Sequence, residues 1–141
     1  MRFVFAFGWI PVLVVKSKPP GEFRGFTRIF TALIFPFTWI HIHPDFWDDE
    51  HILVHELQHV EDYLRNPWMY YYRYQKPAGR LRFEIRAYAR QFLSYDHGQR
   101  VSKIERYVSL IMNRYQFSYD VDDVRFKLRL EIDLIRARGL R

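Results

Sequence analysis

The chain contains one short run whose residue types and spacing could carry out hydrolytic chemistry, His55-Glu56-Leu57-Gln58-His59. On a helix, side chains four residues apart lie on the same face, so His55 and His59 could direct two imidazole nitrogens to one point. Two imidazoles suit a borderline divalent metal such as Zn²⁺. Glu56 lies one residue further round the helix, where its carboxylate would touch a metal-bound water rather than the metal. The run therefore predicts a zinc-dependent hydrolase with Glu56 as its general base.

The segment around this run has the apolar period of an amphipathic helix, which we predict over residues 48–65. Its apolar stripe repeats at i, i+4, i+7 and i+11 and consists of Leu53, Leu57, Val60 and Leu64. Asp45 and Asp48 are candidate N-caps, and Asn66-Pro67 is a stop signal. A second stripe, rotated away from the first, consists of His51, His55, His59 and Asp62. The alternative to a metal site is a helix with two histidines on a solvated face, and the helical context favours the metal.

A catalytic zinc site usually has three protein ligands and one open position for water, so a third donor is needed. The chain has no Cys, and no Gly-x-x-His follows His59 as it would in a metzincin. Glu84 lies 25 residues after His59, within a segment, 81–91, that we predict to be a second helix. We therefore expect Glu84 to be the third ligand. The alternative is a surface carboxylate paired with Arg80 or Arg86.

Together these two segments resemble the gluzincin group of zinc metallopeptidases, because the first motif is followed on a second helix by Glu84-Ile85-Arg86-Ala87-Tyr88. In size the chain is nearer to the minigluzincins and to small HExxH proteins of bacteria and tailed phages. The resemblance covers residues 24–97 and implies a zincin-like fold, metallopeptidase activity and a peptide or protein substrate. It also implies one Zn²⁺ ion bound by His55, His59 and Glu84, with Glu56 as the base.

The second helix departs from the gluzincin pattern one turn after Glu84, where gluzincins often carry a carboxylate that orients a ligand histidine. Tyr88 occupies that position, so Asp62 or Tyr88 itself would have to take this role. The family also supplies a Tyr or His that hydrogen-bonds the tetrahedral intermediate, and Tyr88, Tyr95 and His97 are the candidates. Because of this departure we keep a second hypothesis, a catalytically silent or latent metal-stabilised binding or structural protein.

Composition limits the classes of protein and partner. With 141 residues, of which 49% are hydrophobic, the chain is expected to form a single domain, 1–141, with its own core. The absence of Cys excludes disulfides and thiolate metal sites. A net charge of +6 would attract an anionic polymer or a membrane surface as a partner beside the substrate. The sequence contains no recognised nucleic-acid module, so no specific nucleic-acid partner is predicted. The positive charge nevertheless gives a third hypothesis, a basic adaptor that binds nucleic acid or the cell envelope.

The elements that position these residues predict an α+β fold, with a small antiparallel sheet in the N-terminal part and about four helices after it. Residues 1–47 are expected to be mainly strands, 48–97 to hold the two metal-site helices and 98–141 to form the C-terminal helices. The second helix is expected to end near Gly98, and the fourth to run from about Asp122 to Gly139. The aromatic-rich segment 66–79 is expected to be a linker that packs on the helices, with the lining of a binding site as the alternative.

The N-terminal strands carry two further predictions. The apolar run 3–15 resembles a signal peptide, but it lacks a cleavage site and is too short to span a bilayer. We therefore expect a strand pair and a cytoplasmic protein, with a membrane-seeking N-terminus as the alternative. Strands are also expected over 26–35 and 38–43, and the latter alternates polar with apolar residues. In zinc peptidases that the chain resembles, such a strand forms the upper rim of the cleft and pairs with the substrate through its open edge. One face of the strand carries Trp39, His41 and His43. These side chains either form a wall that faces the substrate or belong to the exposed polar face of the sheet.

Overall fold

The computed structural model describes residues 1–8, 10–18, 24–31, 36–115 and 119–139. Within these residues the chain forms four strands and then five α-helices, with two short 3₁₀ turns, which confirms the predicted α+β class. The backbone separates into two compact units, Met1–Pro67 and Trp68–Arg141. The single domain expected from the chain length stays a prediction.

The first unit contains a sheet with the strand order β1-β2-β4-β3, in which β1 to β4 are Arg2–Ala6, Ile10–Lys16, Gly25–Thr31 and Pro36–Ile42. β1 pairs with β2, and β3 with β4, in antiparallel fashion, whereas β2 and β4 run parallel. The prediction of an antiparallel sheet is therefore wrong for this central pair. β4 lies between β2 and β3. It runs antiparallel to β3, with which it is connected in sequence, and parallel to β2. The predicted strand pair in 3–15 is confirmed, and residues 32–35 of the predicted strand 26–35 lie outside the described residues.

The strand that precedes the motif helix, β4, is an inner strand of the sheet, with β2 on one side and β3 on the other. The prediction that its own edge is open to a substrate is therefore wrong, and β3 is the edge strand on that side. The predicted alternation is confirmed, because Ile40 and Ile42 are fully buried. The stripe of the opposite face, which consists of Trp39, His41 and His43, is half-buried.

The helix that follows the sheet, α1, Glu50–Arg65, packs its apolar stripe on the inner face of the strands. Leu53 and Val60 are buried, and Leu57 and Leu64 pack against them, as the period predicted. The strands contribute Ala6, Val12, Val14, Ile40 and Ile42 to the same core. Burying one Val, Leu or Ile side chain stabilises a fold by about 1.5–3 kcal/mol, so this stripe fixes which face of α1 meets the sheet.

Asp49 is the N-cap of α1, and its carboxylate accepts hydrogen bonds from the backbone N–H groups of His51, at 3.0 Å, and Ile52, at 3.3 Å. The predicted caps Asp45 and Asp48 are therefore wrong, because the 3₁₀ turn Pro44–Phe46 and the turn after it come before the helix. A cap of this kind contributes about 1 kcal/mol to helix stability. The other end of the helix is as predicted, with Asn66 as the C-cap.

The second unit is built from helices, which are α2, Pro67–Tyr74, α3, Pro77–Ser94, α4, Lys103–Tyr115, and α5, Val121–Ala137. The two C-terminal helices expected from the sequence are thus confirmed as α4 and α5. The core of the unit brings together buried side chains of three helices, among them Ile85, Ala89 and Phe92 from α3, Val108 and Ile111 from α4, and Val124, Leu128 and Ile132 from α5. Gly98 lies in a 3₁₀ turn, His97–Gln99, after the end of α3. None of the described helices has the length and hydropathy of a membrane span.

The presence of α2 corrects the prediction of a linker over 66–79. Proline is favoured in the first turn of a helix, where a backbone N–H has no partner within the helix, so Pro67 can begin α2 directly after α1 ends. Tyr70 and Tyr74 lie one turn apart, with ring centroids 5.4 Å from each other. Both rings also pack on Phe83 of α3, at 4.5 Å and 6.2 Å. The expected packing of this segment on a helix is therefore found.

Candidate metal centre

His55 and His59 lie in the middle of α1 and are both buried, at 7% and 6% exposed. Their ring centroids are 5.0 Å apart and the ring planes are inclined by 76°. An imidazole binds a metal through a lone pair in the plane of its ring, so two inclined rings one turn apart can serve one ion. The helical spacing of the motif thus gives the pairing that the sequence predicted.

Glu84 lies on α3 and is 1% exposed, which makes it one of the most deeply buried ionisable groups among the described residues. The hydroxyl of Tyr74 donates a long hydrogen bond of 3.4 Å to Glu84 Oε1. A buried carboxylate is unfavourable unless cations or hydrogen-bond donors compensate its charge. The alternative of a surface carboxylate is therefore wrong, and a bound cation is one way to compensate the charge of this buried group.

One ligand atom each from His55, His59 and Glu84 lies within 4.8 Å of the other two. In a tetrahedral zinc site with bond lengths of about 2.0–2.2 Å, ligand atoms lie roughly 3.4 Å apart, which is within this limit. Two neutral nitrogen donors and one carboxylate are also a donor set that zinc accepts. The three side chains form a buried group that could bind a metal ion.

The carboxylate of Glu56, the predicted base, is held by β3. Thr27 Oγ1 lies 2.7 Å from Glu56 Oε2, to which it donates a hydrogen bond, and 3.3 Å from the backbone carbonyl oxygen of the same residue. Glu56 is buried like the two histidines. This contact orients the carboxylate on the strand side of α1. Sequence reasoning missed Thr27, because nothing local in the sequence indicates which strand residue meets a helix.

Gly25, at the start of β3, allows this close approach. A Cβ atom at position 25 would lie 2.8 Å from Glu56 Oε1 and 2.9 Å from Ile52 Cγ2, distances that van der Waals radii do not permit. A glycine within a strand often marks such a close approach, so the sequence does contain a signal for it. Gly25 and Thr27 together shape the surface that Glu56 packs against.

We expect Gly25→Ala to destabilise the protein by about 1–3 kcal/mol, because the added methyl group must displace the Glu56 carboxylate or the Ile52 side chain. Denaturant unfolding followed by circular dichroism measures this change. Gly98→Ala is the matched control, since a Cβ at Gly98 would meet nothing within 4 Å, and it should alter stability by less than about 0.5 kcal/mol. Equal effects of the two substitutions would contradict the packing of Glu56 against Gly25.

The other four residues considered at the sequence level have different surroundings. Asp62 is buried on α1 and accepts a 3.0 Å hydrogen bond from Gln58 Nε2. Tyr88 belongs to the core of the second unit, with its ring centroid 4.8 Å from that of Tyr107. Tyr95 is the C-cap of α3 and is half-buried, whereas His97 is exposed in the 3₁₀ turn that follows. Their roles in orienting a ligand or stabilising an intermediate stay predictions.

Comparisons of the chain with protein-family models, with curated proteins and with solved structures found no match. The resemblance to gluzincins therefore depends on the motif residues and on the convergence of His55, His59 and Glu84.

Proposed function

We propose that the protein is a zinc-dependent metallopeptidase in which His55, His59 and Glu84 bind one Zn²⁺ and Glu56 is the general base. The observation that supports this most strongly is that two imidazoles and one carboxylate, all buried, lie close together. They are the residues that the HExxH pattern and a downstream Glu would assign as zinc ligands. Glu56, next to His55 in the chain, supplies the acid–base group that hydrolysis needs in addition to a metal.

In this proposal the side chains of the protein divide the work of hydrolysis. When bound, Zn²⁺ would supply Lewis acidity, lowering the pKa of a water toward ~7 and polarising a carbonyl group. The Glu56 carboxylate accepts a proton from the attacking water and passes it to the departing amine. Thr27 holds Glu56 Oε2 through its 2.7 Å hydrogen bond, so the carboxylate is oriented before a substrate arrives.

The position of β3 supports an extended peptide as substrate. Among the described strands β3 is at the edge of the sheet, and it carries Gly25 and Thr27, two of the residues that lie against Glu56. An extended peptide that adds to this edge forms main-chain hydrogen bonds along the strand. The scissile bond of the peptide would then lie close to the Glu56 side chain.

A second candidate function is a metal-stabilised protein without turnover. The observation in its favour is the burial of the site, because His55, His59, Glu84 and Glu56 are each 7% exposed or less. A catalytic metal needs a position that water and substrate can reach. A latent enzyme or a structural metal site would need no such access.

Metal analysis of the purified protein, together with digestion of a mixed peptide library followed by mass spectrometry, tests the proposal. We expect about one zinc ion per chain, and cleavage that stops with 1,10-phenanthroline and returns when zinc is added. Zinc binding without any cleavage would favour the structural or latent protein. Failure to bind zinc would exclude both candidates.

A further inference from the structure

The outward face of α2 is unusually aromatic. Trp68, Tyr71 and Tyr72 are 84%, 68% and 58% exposed, and Met69 is 38% exposed. On a helix with 3.6 residues per turn these four side chains occupy one continuous arc of about 160°. Large exposed apolar patches mark interaction surfaces. We call the four residues the α2 face.

The α2 face is not needed for the core of the second unit. The opposite side of the helix carries Tyr70 and Tyr74, whose rings pack on each other and on Phe83. Gly79, early in α3, lies so close to the backbone carbonyl of Arg73 that a Cβ at this position would overlap it. The C-terminal end of α2 is thus held tightly against the start of α3. The helix is a fixed platform that presents the α2 face to its surroundings.

The chain segment that contains α2 is rich in cations. From residue 63 to residue 83 the chain has no Asp or Glu, and the cations in this stretch are Arg65, Arg73, Lys76, Arg80 and Arg82. The second unit has sixteen Lys and Arg against eight Asp and Glu, whereas the first has six against eight. Lys76 Nζ lies 2.7 Å from the Tyr72 hydroxyl, to which it donates a hydrogen bond, and 4.3 Å above the ring centroid. Positive charge therefore lies directly beside the aromatic arc.

From these features we infer that the α2 face binds the surface of an anionic lipid bilayer. Trp and Tyr favour the boundary between lipid headgroups and acyl chains, because each combines an apolar ring with a polar group. Lys and Arg beside them are attracted to anionic headgroups. At eight residues, α2 is too short to cross the bilayer and lies along its surface.

Single-stranded nucleic acid also binds surfaces that combine aromatic rings with cations, but it uses a groove that follows its backbone. The α2 face projects from one side of a short helix and includes the aliphatic Met69, which offers no ring to stack on a base. A second aromatic surface exists on β1, where Phe3 and Phe5 are 67% and 56% exposed. That strand belongs to the unit with net negative charge, so charge complementarity favours α2 as the lipid-binding element.

Sedimentation of the full chain with lipid vesicles tests the inference. We expect binding to phosphatidylcholine vesicles that contain phosphatidylglycerol, and at least tenfold weaker binding to pure phosphatidylcholine. The triple variant Trp68→Ser, Tyr71→Ser, Tyr72→Ser should bind the anionic vesicles at least tenfold more weakly than the parent. Each of Arg73→Gln, on α2 itself, and Lys76→Gln, beside the Tyr72 ring, should weaken binding about fivefold, since one cation near an anionic surface contributes about that factor.

The variant Phe3→Ser, Phe5→Ser is the matched control, because it removes exposed aromatic rings from β1 and leaves α2 unchanged. It should bind anionic vesicles as the parent does, and circular dichroism should show that all variants are folded. Loss of binding in the β1 variant instead of the α2 variant would overturn the inference. Equal binding to neutral and anionic vesicles, or binding to an oligothymidylate but to neither vesicle, would also overturn it.

Discussion

Replacing Glu56 with glutamine is expected to lower kcat for peptide hydrolysis by about 10²–10⁴-fold, since general-base catalysis contributes that factor and an amide cannot accept the proton. Glutamine has nearly the same shape, and its amide oxygen can still accept the hydrogen bond that Thr27 donates to Glu56 Oε2. The metal content of Glu56→Gln should equal that of the parent, because the three predicted ligands are unchanged. Steady-state kinetics on a cleaved library peptide and metal analysis measure the two quantities.

Glu61→Gln is the matched control for this experiment. Glu61 is another buried carboxylate of α1, and its Oε1 accepts a 3.1 Å hydrogen bond from the backbone N–H of Phe7, which a glutamine oxygen can also accept. We expect its kcat to remain within about twofold of the parent value, since surroundings and shape are preserved. If Glu56→Gln hydrolysed peptides as fast as the parent, Glu56 would not be the base and the proposed mechanism would be wrong.

Much of the candidate site could be predicted because its information is local. His55 and His59 share one face of the helix because an α-helix has 3.6 residues per turn. The apolar stripe that begins at Leu53 indicates which face of that helix is buried. The alternation around Ile40 and Ile42 identifies the buried face of β4 in the same way. Patterns of this kind concern one element at a time, so each could be read without knowledge of its neighbours.

The pairing of elements could not be read from such patterns. An alternation of polar and apolar residues indicates which face of a strand is buried, but it does not indicate which strand lies beside it. The parallel pairing of β2 with β4 was therefore not predicted. The contact of Thr27 with Glu56 joins residues 29 positions apart and has no local signal. In α2 the same residue type occurs on both faces, with Tyr70 buried and Tyr71 exposed, so residue type alone did not show a helix.

Replacing Glu84 with glutamine is expected to weaken zinc binding by at least about 100-fold, because loss of a direct ligand exceeds the effect of losing a residue that only orients one. Zinc at 100 times its dissociation constant stabilises a protein by about 2.7 kcal/mol, so the parent should unfold at a temperature roughly 5–10 °C higher with zinc than with a chelator. Glu84→Gln should show almost none of this increase. Its stability without metal should match or exceed that of the metal-free parent, since it no longer buries a carboxylate.

Glu131→Gln is the appropriate control, because Glu131 does not belong to the candidate metal group. It is a half-buried glutamate of α5, and its carboxylate lies 3.7 Å from the Arg86 guanidinium. Loss of this ion pair should lower stability by at most about 1 kcal/mol, and the increase on adding zinc should persist. Calorimetry with and without zinc, together with direct zinc titration, distinguishes the two variants. Unchanged zinc affinity in Glu84→Gln would mean that α3 supplies no ligand through Glu84. The two histidines on α1 would then lack the carboxylate ligand proposed for them, and the proposed catalytic site would be wrong.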